Sequence, residues 1–409
     1  MIKRRQLLKA TLLGGAALPL LATAPGQAAD ITNTGESTTE RNKRLLRERY
    51  RAAQREALPA TLPGARDQPP PPKAAPSTVL SAQAPPGGVD QPEATIAAIA
   101  PWHAQTVSPG FTAYGPMIAA GDAVVEEWET FFHGADGTLY NNQYCWIKQF
   151  VDGEVVRVRE YLDSHHAFVV LGQAAPWKAL APPTGPRRRW VPMGPPRSER
   201  DDNGREEAFP IARRYSLPPQ QWRDPRPTAA APRGAAGDPA ANRALVAALH
   251  EARARNDSAA VDRCHGPGFR HFIAGEGPLG WDHLPLEELY APLVAHLASP
   301  IEVWVSEAVA EGDSVFEELE IFARLDDGTV YHNWHCCIHV IRDGGIVQTR
   351  EYLDTHHLWV VLGRWADWGK TPVAPLTRAR RSNLPWIDET FQGRNPFLDL
   401  ARWKPLPPP

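Results

Sequence analysis

The stretch from Gly121 to Gly172 recurs from Gly312 to Gly363, displaced by 191 residues without a gap, and 28 of its 52 positions are identical. A chain that repeats itself over such a length reads as two copies of one domain. Solenoid units recur at roughly 20 to 50 residues, whereas each copy here, at about 130 residues, is long enough to bury its own core. Residues kept in both copies mark geometry common to the two halves, and residues that differ mark where the halves diverge.

Composition, 43% hydrophobic and 22% charged, fits a soluble chain, and no uninterrupted apolar run approaches the roughly 20 residues a spanning helix needs. The exception is the N-terminus, residues 1–28. There Lys3-Arg4-Arg5-Gln6-Leu7-Leu8-Lys9 precedes the apolar stretch Ala10 to Ala24, the basic-then-apolar form of an export signal, and its paired arginines resemble a twin-arginine signal, with a general secretion signal or a membrane anchor as the alternative. Cleavage near Ala28 or Ala29 would deliver a periplasmic or secreted protein through bacterial export machinery. Losing residues 1–28 removes four cations and no acid, leaving 40 Lys plus Arg against 47 Asp plus Glu. A mildly acidic chain is a poor nucleic-acid binder, and Arg187-Arg188-Arg189-Trp190, inside a Pro-rich linker, reads as a solvated spacer. Of the four cysteines, the adjacent Cys336 and Cys337 point to opposite faces of a strand and do not suit one another. Cys145 and Cys336 are repeat-equivalent and would meet across a pseudo-twofold axis, although buried free thiols are the simpler expectation.

Each copy reads as a helix, an irregular region and three long strands. The helices are expected over 42–56 and 242–256, each opening on an Asn suited to N-capping, and a further helix near 286–297. Strands are expected over Asp122–His133, Thr138–Val151 and Val155–Leu162, joined by Asp136-Gly137 and Asp152-Gly153; Asp327-Gly328 and Asp343-Gly344 repeat those hairpin signals. Strands of about 12 residues span about 40 Å, so the twisted antiparallel sheet must curl. Pro59 to Pro86 is too rich in proline for a regular helix or central strand. The expected organisation is a signal over 1–28, a first domain over 41–178 with an irregular stretch at 57–94, a linker over 179–238, a second domain over 239–370 and a tail over 371–409.

The helix-then-meander order and the ending Arg159-Glu160-Tyr161-Leu162-Asp163, repeated as Arg350-Glu351-Tyr352-Leu353-Asp354, resemble the SnoaL-like branch of the nuclear transport factor 2 (NTF2-like) fold. The resemblance covers residues 95–177 and 240–368, and covers 42–94 poorly. It implies an α+β architecture of two cone-shaped domains, each a curved antiparallel sheet with helices on its concave face around an apolar pocket. Members are commonly dimers, which implies that this chain is a monomer carrying its pseudo-dimer internally, or a higher homo-oligomer. Polyketide cyclases, ketosteroid isomerases, limonene-type epoxide hydrolases, dehydratases and proteins without chemistry share the fold, so the fold alone does not choose among them.

Strand alternation places Glu160 and Leu162 on one face and Arg159, Tyr161 and Asp163 on the other; Glu351 and Leu353 repeat this. In epoxide hydrolases of this fold the matching strand supplies a pocket base, which resemblance carries onto Glu160 and Glu351. Burial in an apolar pocket would raise such a carboxyl toward the range useful for acid–base work; alternatively the carboxylate is paired and only seats the sheet. Asp163-Ser164-His165-His166 and Asp354-Thr355-His356-His357 read first as helix caps. His165 and His356 are alternatively acid–base partners of a carboxylate, or lie at a surface or interface. On the middle strand Asn142, Tyr144, Trp146 and Lys148 share a face in copy one, where copy two has Asn333, His335, Cys337 and His339. Three collinear candidates suit a tetrahedral metal poorly, so no metal is expected. His335 is better placed as a neutral partner of Glu351, as in dehydratases of this fold. Glu126-Glu127-Trp128-Glu129 and Glu317-Glu318-Leu319-Glu320 read mostly as a solvated face, with the alternative that Glu126 or Glu127 faces the cavity opposite Glu160. No phosphate loop, nucleophile elbow or Ser-His-Asp order is present, and no cofactor is expected.

The sequence thus favours, slightly, a noncatalytic module that binds a small organic molecule or serves assembly, with Asn333, Cys337, His339, Leu353, Asn142, Tyr144, Trp146 and Leu162 lining its pockets. The alternative is a cofactor-independent isomerase, cyclase, dehydratase or epoxide hydrolase using Glu351 as base with His335 or His356. Copy two is the better candidate, because proline interrupts the helical lid of copy one.

Overall fold

The computed structural model describes residues 36–56, 77–79, 111–133, 139–174, 211–217, 232–255, 257–274, 286–306 and 308–370. The export signal, most of the linker, the tail and the Asp136-Gly137 turn lie outside them.

Two mostly antiparallel sheets carry the chain. The first is built from β1 (Ser77–Val79), β2 (Phe111–Ala120), β3 (Ala123–His133), β4 (Leu139–Val151) and β5 (Glu154–Leu162), in the order β1-β5-β4-β3-β2. The second contains β6 (Ile211–Leu217), β7 (His265–Ile273), β8 (Ile301–Ser306), β9 (Val309–Glu311), β10 (Ser314–Arg324), β11 (Val330–Arg342) and β12 (Gly345–Leu353). Its order is β6-β8-β10-β11-β12-β7, with β9 also paired to β10. Each strand of the β3-β4-β5 meander begins and ends 191 residues before its counterpart in β10-β11-β12. In each sheet the meander's last strand takes a parallel edge partner, β1 on β5 and β7 on β12.

The tight turns follow from their residues. Asp152 and Asp343 both sit at φ 51°, followed by Gly153 at φ 82° and Gly344 at φ 78°. Two successive left-handed positions make a two-residue hairpin whose twist matches the strands. The sequence did not reveal β2 or its counterparts β8 and β9. Across β2 the copies share only Ala119, equivalent to Ala310, and Pro116 sits at the register shift between Tyr114 and Met117, where β2 bulges.

The expected N-caps are corrected. The first helix, α1, runs Thr38–Glu56, and the Ser37 hydroxyl accepts from Glu40 N at 3.2 Å, with Glu40 in place to complete a capping box. In copy two, α3 (Pro239–Ala254) is capped by Asp238, which accepts from the amides of Ala240 and Ala241. Asn242 lies inside that helix; it accepts from Ala235 N and donates to Gly312 O, tying the helix to the β9–β10 turn. Asp-Pro at a helix start was the stronger signal. Two short helices close the meanders, α2 (Ser164–Ala174) and α6 (Thr355–Leu362), and α5 (Leu286–Ala295) falls where helical periodicity placed it. The remaining short helix, α4 (Ser258–Cys264), follows α3.

The inner faces hold the cores. In the first half Trp128, Tyr144, Trp146, Phe150, Leu162 and Val170 form one cluster; in the second, Leu319, Tyr331, Leu353, Leu358 and Val361 form another, with Leu245 and Leu249 of α3 packed nearby on Ile341 and Ile346. Each such side chain withdrawn from water contributes roughly 1.5–3 kcal/mol.

The opposite faces meet each other. Arg159 forks onto Glu318, with Nε to Oε1 at 2.8 Å and Nη2 to Oε2 at 2.7 Å, and Tyr161 donates to the same carboxylate at 3.0 Å. The reciprocal set is Arg350 onto Glu127 at 2.7 and 2.6 Å, with Tyr352 at 2.7 Å. The Cys145 and Cys336 thiols face one another between these pairs, both free and buried. The expectation that the Glu-rich strand faces water is overturned: Glu126, Glu127, Glu129, Glu317, Glu318 and Glu320 are all buried. Their partners are Lys148, Arg350, Asn141, the His250–His339 pair, Arg159 and His332. Alternation revealed the strand but not these distant partners.

Candidate acid–base site

Glu351 of β12 lies on the inner face of the second sheet, 6% exposed. Its Oε1 pairs with Nδ1 of His335, the residue two positions before its register partner Cys337, and its Oε2 with Nε2 of His271 at 2.7 Å, from the parallel edge strand β7. Burial alone would raise this carboxyl, but the charge and hydrogen bonds of the two imidazoles outweigh it and hold Glu351 well below the usual carboxylate range. The expectation of a raised Glu351 is therefore wrong, because sequence reasoning placed one histidine beside it and the fold supplies two. An ionised Glu351 accepts from both rings, which assigns the proton to His335 Nδ1 and His271 Nε2. His335 Nε2 then faces the Tyr331 hydroxyl at 3.5 Å, and Asn333 donates to that hydroxyl at 3.2 Å. His271 Nδ1 is buried without a hydrogen-bond partner among the described residues, and the Tyr290 hydroxyl of α5 pairs with the Tyr331 hydroxyl. The carboxylate orients two imidazoles, one with its second nitrogen facing the Tyr331 hydroxyl and the other with its second nitrogen unpartnered among the described residues.

A second carboxylate stands two strands away on the same face. Glu317 accepts from His250 of α3 at 2.5 Å and from His339 at 3.1 Å, and His339 meets Thr349 at 2.9 Å. Burial would raise Glu317, but these imidazoles hold it far below its ordinary value. Cys337 lies in register between Glu317 and Glu351, and burial pushes its thiol well up, which keeps it protonated. No group of three or more His, Cys, Asp or Glu suited to a metal ion is found among the described residues. Sequence reasoning missed His250, His271, Tyr290 and Tyr331. His250 recurs on the apolar stripe of its helix, which was a usable signal; nothing local marked the other three.

The first half answers differently. Tyr144 stands where His335 does, and Lys148, in the place of His339, is ion-paired to Glu126. Burial pushes Glu160 up to about 8 against the opposing influence of Trp146 and Lys148, so the raised carboxyl expected of both halves occurs only here. Tyr140 and Tyr144 share a hydrogen bond of 2.6 Å, Asn142 donates to Tyr140 at 2.9 Å, and Trp128 stacks on Tyr144 at 3.8 Å. Leu162 and Leu353 are buried in the two cores.

Asp163, His165, Asp354 and His356 sit elsewhere, where α2 and α6 start side by side. Asp354 caps its helix by accepting from His357 N, and Asp163 accepts from His166 N at 3.1 Å. Each aspartate also accepts from the other half, Asp354 from Ser164 and Asp163 from Thr355, both at 2.6 Å. His165 and His356 face each other, Nδ1 to Nδ1, at 3.2 Å. The structure brings these four residues to the junction between halves and His335 to Glu351.

No protein-family model and no curated protein matches the chain. Solved structures do. AclR from Streptomyces galilaeus, described as a hydroxylase, shares 17% identity over 34% of this chain and 91% of its own, with a TM-score of 0.26. A protein of Jannaschia sp. CCS1 described as a SnoaL-like polyketide cyclase shares 17% identity over 30% of this chain and 92% of its own, at 0.25. An NTF2-like protein of Burkholderia xenovorans LB400 shares 21% identity over 31% of this chain and 98% of its own, at 0.25. The chain is thus similar, over about a third of its length, to SnoaL-like and NTF2-like proteins.

Proposed function

We propose that the second half binds a small organic molecule and moves a proton on it, with His335 and His271 as acid and base and Glu351 as the carboxylate that orients them. The observation that carries this reading is a buried, ionised Glu351 gripped by two imidazoles, one of which keeps an unpartnered nitrogen. General acid–base groups so placed contribute typically 10²–10⁴-fold, and isomerisation, cyclisation, dehydration and water addition all draw on that chemistry. Glu351 itself, held strongly acidic, is a poor base. Its role moves from the expected proton acceptor to positioning.

Proton abstraction is measurable before a substrate is known. Small ketones and β-hydroxyketones incubated with the protein in D₂O exchange their α-hydrogens, which NMR follows. The wild-type chain should speed exchange over buffer, and H335N, H271N and E351Q should each lower it by roughly 100-fold or more. Exchange no faster than buffer, or unchanged in all three variants, sinks the proposal.

A noncatalytic role fits the first half, whose inner face carries Tyr144 and a closed Lys148–Glu126 pair where the second carries imidazoles. Mass spectrometry of compounds that copurify with the intact chain tests binding by either half. The reciprocal pairs Arg159–Glu318 and Arg350–Glu127 support an intramolecular pseudo-dimer, and residues 1–28 support twin-arginine export. Replacing Arg4 and Arg5 by Lys should retain the precursor in the cytoplasm, whereas unchanged export would remove that assignment.

A further inference from the structure

The internal repeat continues past the two meanders. Ala181-Pro182-Pro183-Thr184-Gly185-Pro186-Arg187-Arg188 returns as Ala374-Pro375-Leu376-Thr377-Arg378-Ala379-Arg380-Arg381, and residues 203–219 match 392–408 without a gap at 7 of 17 positions. Within that second match Ile211-Ala212-Arg213, Leu217-Pro218-Pro219 and Leu400-Ala401-Arg402, Leu406-Pro407-Pro408 correspond. The spacing agrees too, since Ile211 lies 39 residues after Gly172 and Leu400 lies 37 after Gly363. The linker and the tail are therefore two copies of one extension, each following its own meander.

The strand of the first extension lies within the described residues and shows what such an extension does. β6 follows the first half in the chain, yet it joins the sheet of the second, antiparallel to β8 with Arg214 opposite Trp304 and Tyr215 opposite Val303. Tyr215 and Leu217 pack against the second half's core, Ser216 donates to Glu302 at 2.8 Å, and Arg213 reaches Glu251 of α3 at 3.5 Å. In the first sheet the counterpart of β8 is β2. Tyr114–Trp128, Ala113–Glu129, Thr112–Thr130 and Phe111–Phe131 recur 191 residues later as Val305–Leu319, Trp304–Glu320, Val303–Ile321 and Glu302–Phe322. β8 carries β6 on its far side, whereas β2 ends its sheet among the described residues. Such an edge offers a row of unpaired amides and carbonyls to an added strand.

We infer that the tail of the same chain fills this edge: residues 400–406 add to β2 as β6 adds to β8, so that the extension of each half completes the sheet of the other. Carrying over the β6–β8 register sets Arg402 opposite Tyr114, Trp403 opposite Ala113 and Lys404 opposite Thr112. Leu400 and Leu406 stand where Ile211 and Leu217 do. Pro405 replaces Ser216 near the end of the ladder, and an outermost strand accepts a proline whose missing donor would have faced solvent. The bulge at Pro116 falls beyond this ladder, as the break between β8 and β9 falls beyond that of β6. A second copy's tail carries the same residues, but the matching spacing after each meander delivers the strand within one chain.

Disulfide trapping in the full chain tests the register. Under mild oxidation by oxidised glutathione, A113C/W403C should close a bond within one chain, as should the control R214C/W304C in the β6–β8 pair. A113C/D399C, displaced by four residues or about 13 Å along a strand, should close at least roughly tenfold more slowly, because bridged Cα atoms lie within about 7 Å. Peptide mapping and non-reducing gels read which cysteines join and whether they belong to one chain. Because cysteine variants can perturb packing, hydrogen exchange gives a second reading: deleting residues 400–409 should speed exchange in β2 by roughly tenfold or more and leave β8 unchanged. No bond in A113C/W403C where the control closes, equal closure of A113C/D399C, bonds only between chains, or β2 exchange indifferent to the deletion would each overturn the inference.

Discussion

Replacing Glu160 by glutamine removes a titrating proton from the interior while keeping the side chain's shape. The unfolded chain releases that proton near 4.5, whereas the folded chain holds it to about 8, because burial penalises the charged form. Between those values the native state binds a proton the unfolded state has lost, so stability falls as pH rises: the contribution is whole below 4.5 and gone above about 8. At about 1.4 kcal/mol per pH unit the full interval is worth roughly 5 kcal/mol, and about two-thirds of it is already lost at pH 7. E160Q has no such slope. Urea unfolding of both proteins from pH 5 to 9 should show the variant gaining on the wild type by about 1.4 kcal/mol per pH unit up to about 8, then holding a constant lead. Any constant packing cost of the amide drops out, since only the pH dependence is read. Parallel curves would refute the reasoning, since they would mean that Glu160 is ionised in the folded chain at neutral pH.

Arg159→Ala should cost about 3–5 kcal/mol in urea unfolding, because it leaves Glu318 buried and charged, and the double variant R159M/E318L should recover most of that loss. Glu317 and Glu351 have folded values pushed below the unfolded 4.5 by their imidazoles. Their stabilisation is therefore present above 4.5 and lost as pH falls beneath it, so E351Q should flatten the acid limb of a stability profile. All four thiols are free and buried; Ellman's reagent should find none in the native chain and four in guanidinium, and fast native labelling of Cys145 or Cys336 would contradict the closed contact between sheets.

Much of the scaffold was legible in the sequence. Strand limits in both meanders, the Asp-Gly hairpins and the facing of Glu160 and Glu351 follow from alternation and turn chemistry, which are local. The helix caps differ from the sequence expectation because Ser37 and Asp238, just upstream of Asn42 and Asn242, have capping partners of their own. The buried carboxylates were misread for a deeper reason. Glu318 looks solvated until Arg159 arrives from 159 residues away, and Glu351 looks like a raised, lone base until an edge strand delivers His271. Those partnerships depend on three-dimensional closure, and no window of sequence contains them.

The contact between the sheets has a consequence for symmetry. Each repeat presents both a guanidinium and a carboxylate, Arg159 with Glu127 in one and Arg350 with Glu318 in the other, at matching positions. Such a surface is complementary to a rotated copy of itself. One such unit carries everything needed to bind its twin, and the inner faces differ, with Tyr144 and Lys148 in one half where His335 and His339 stand in the other, while the clasp between the sheets is the same in both.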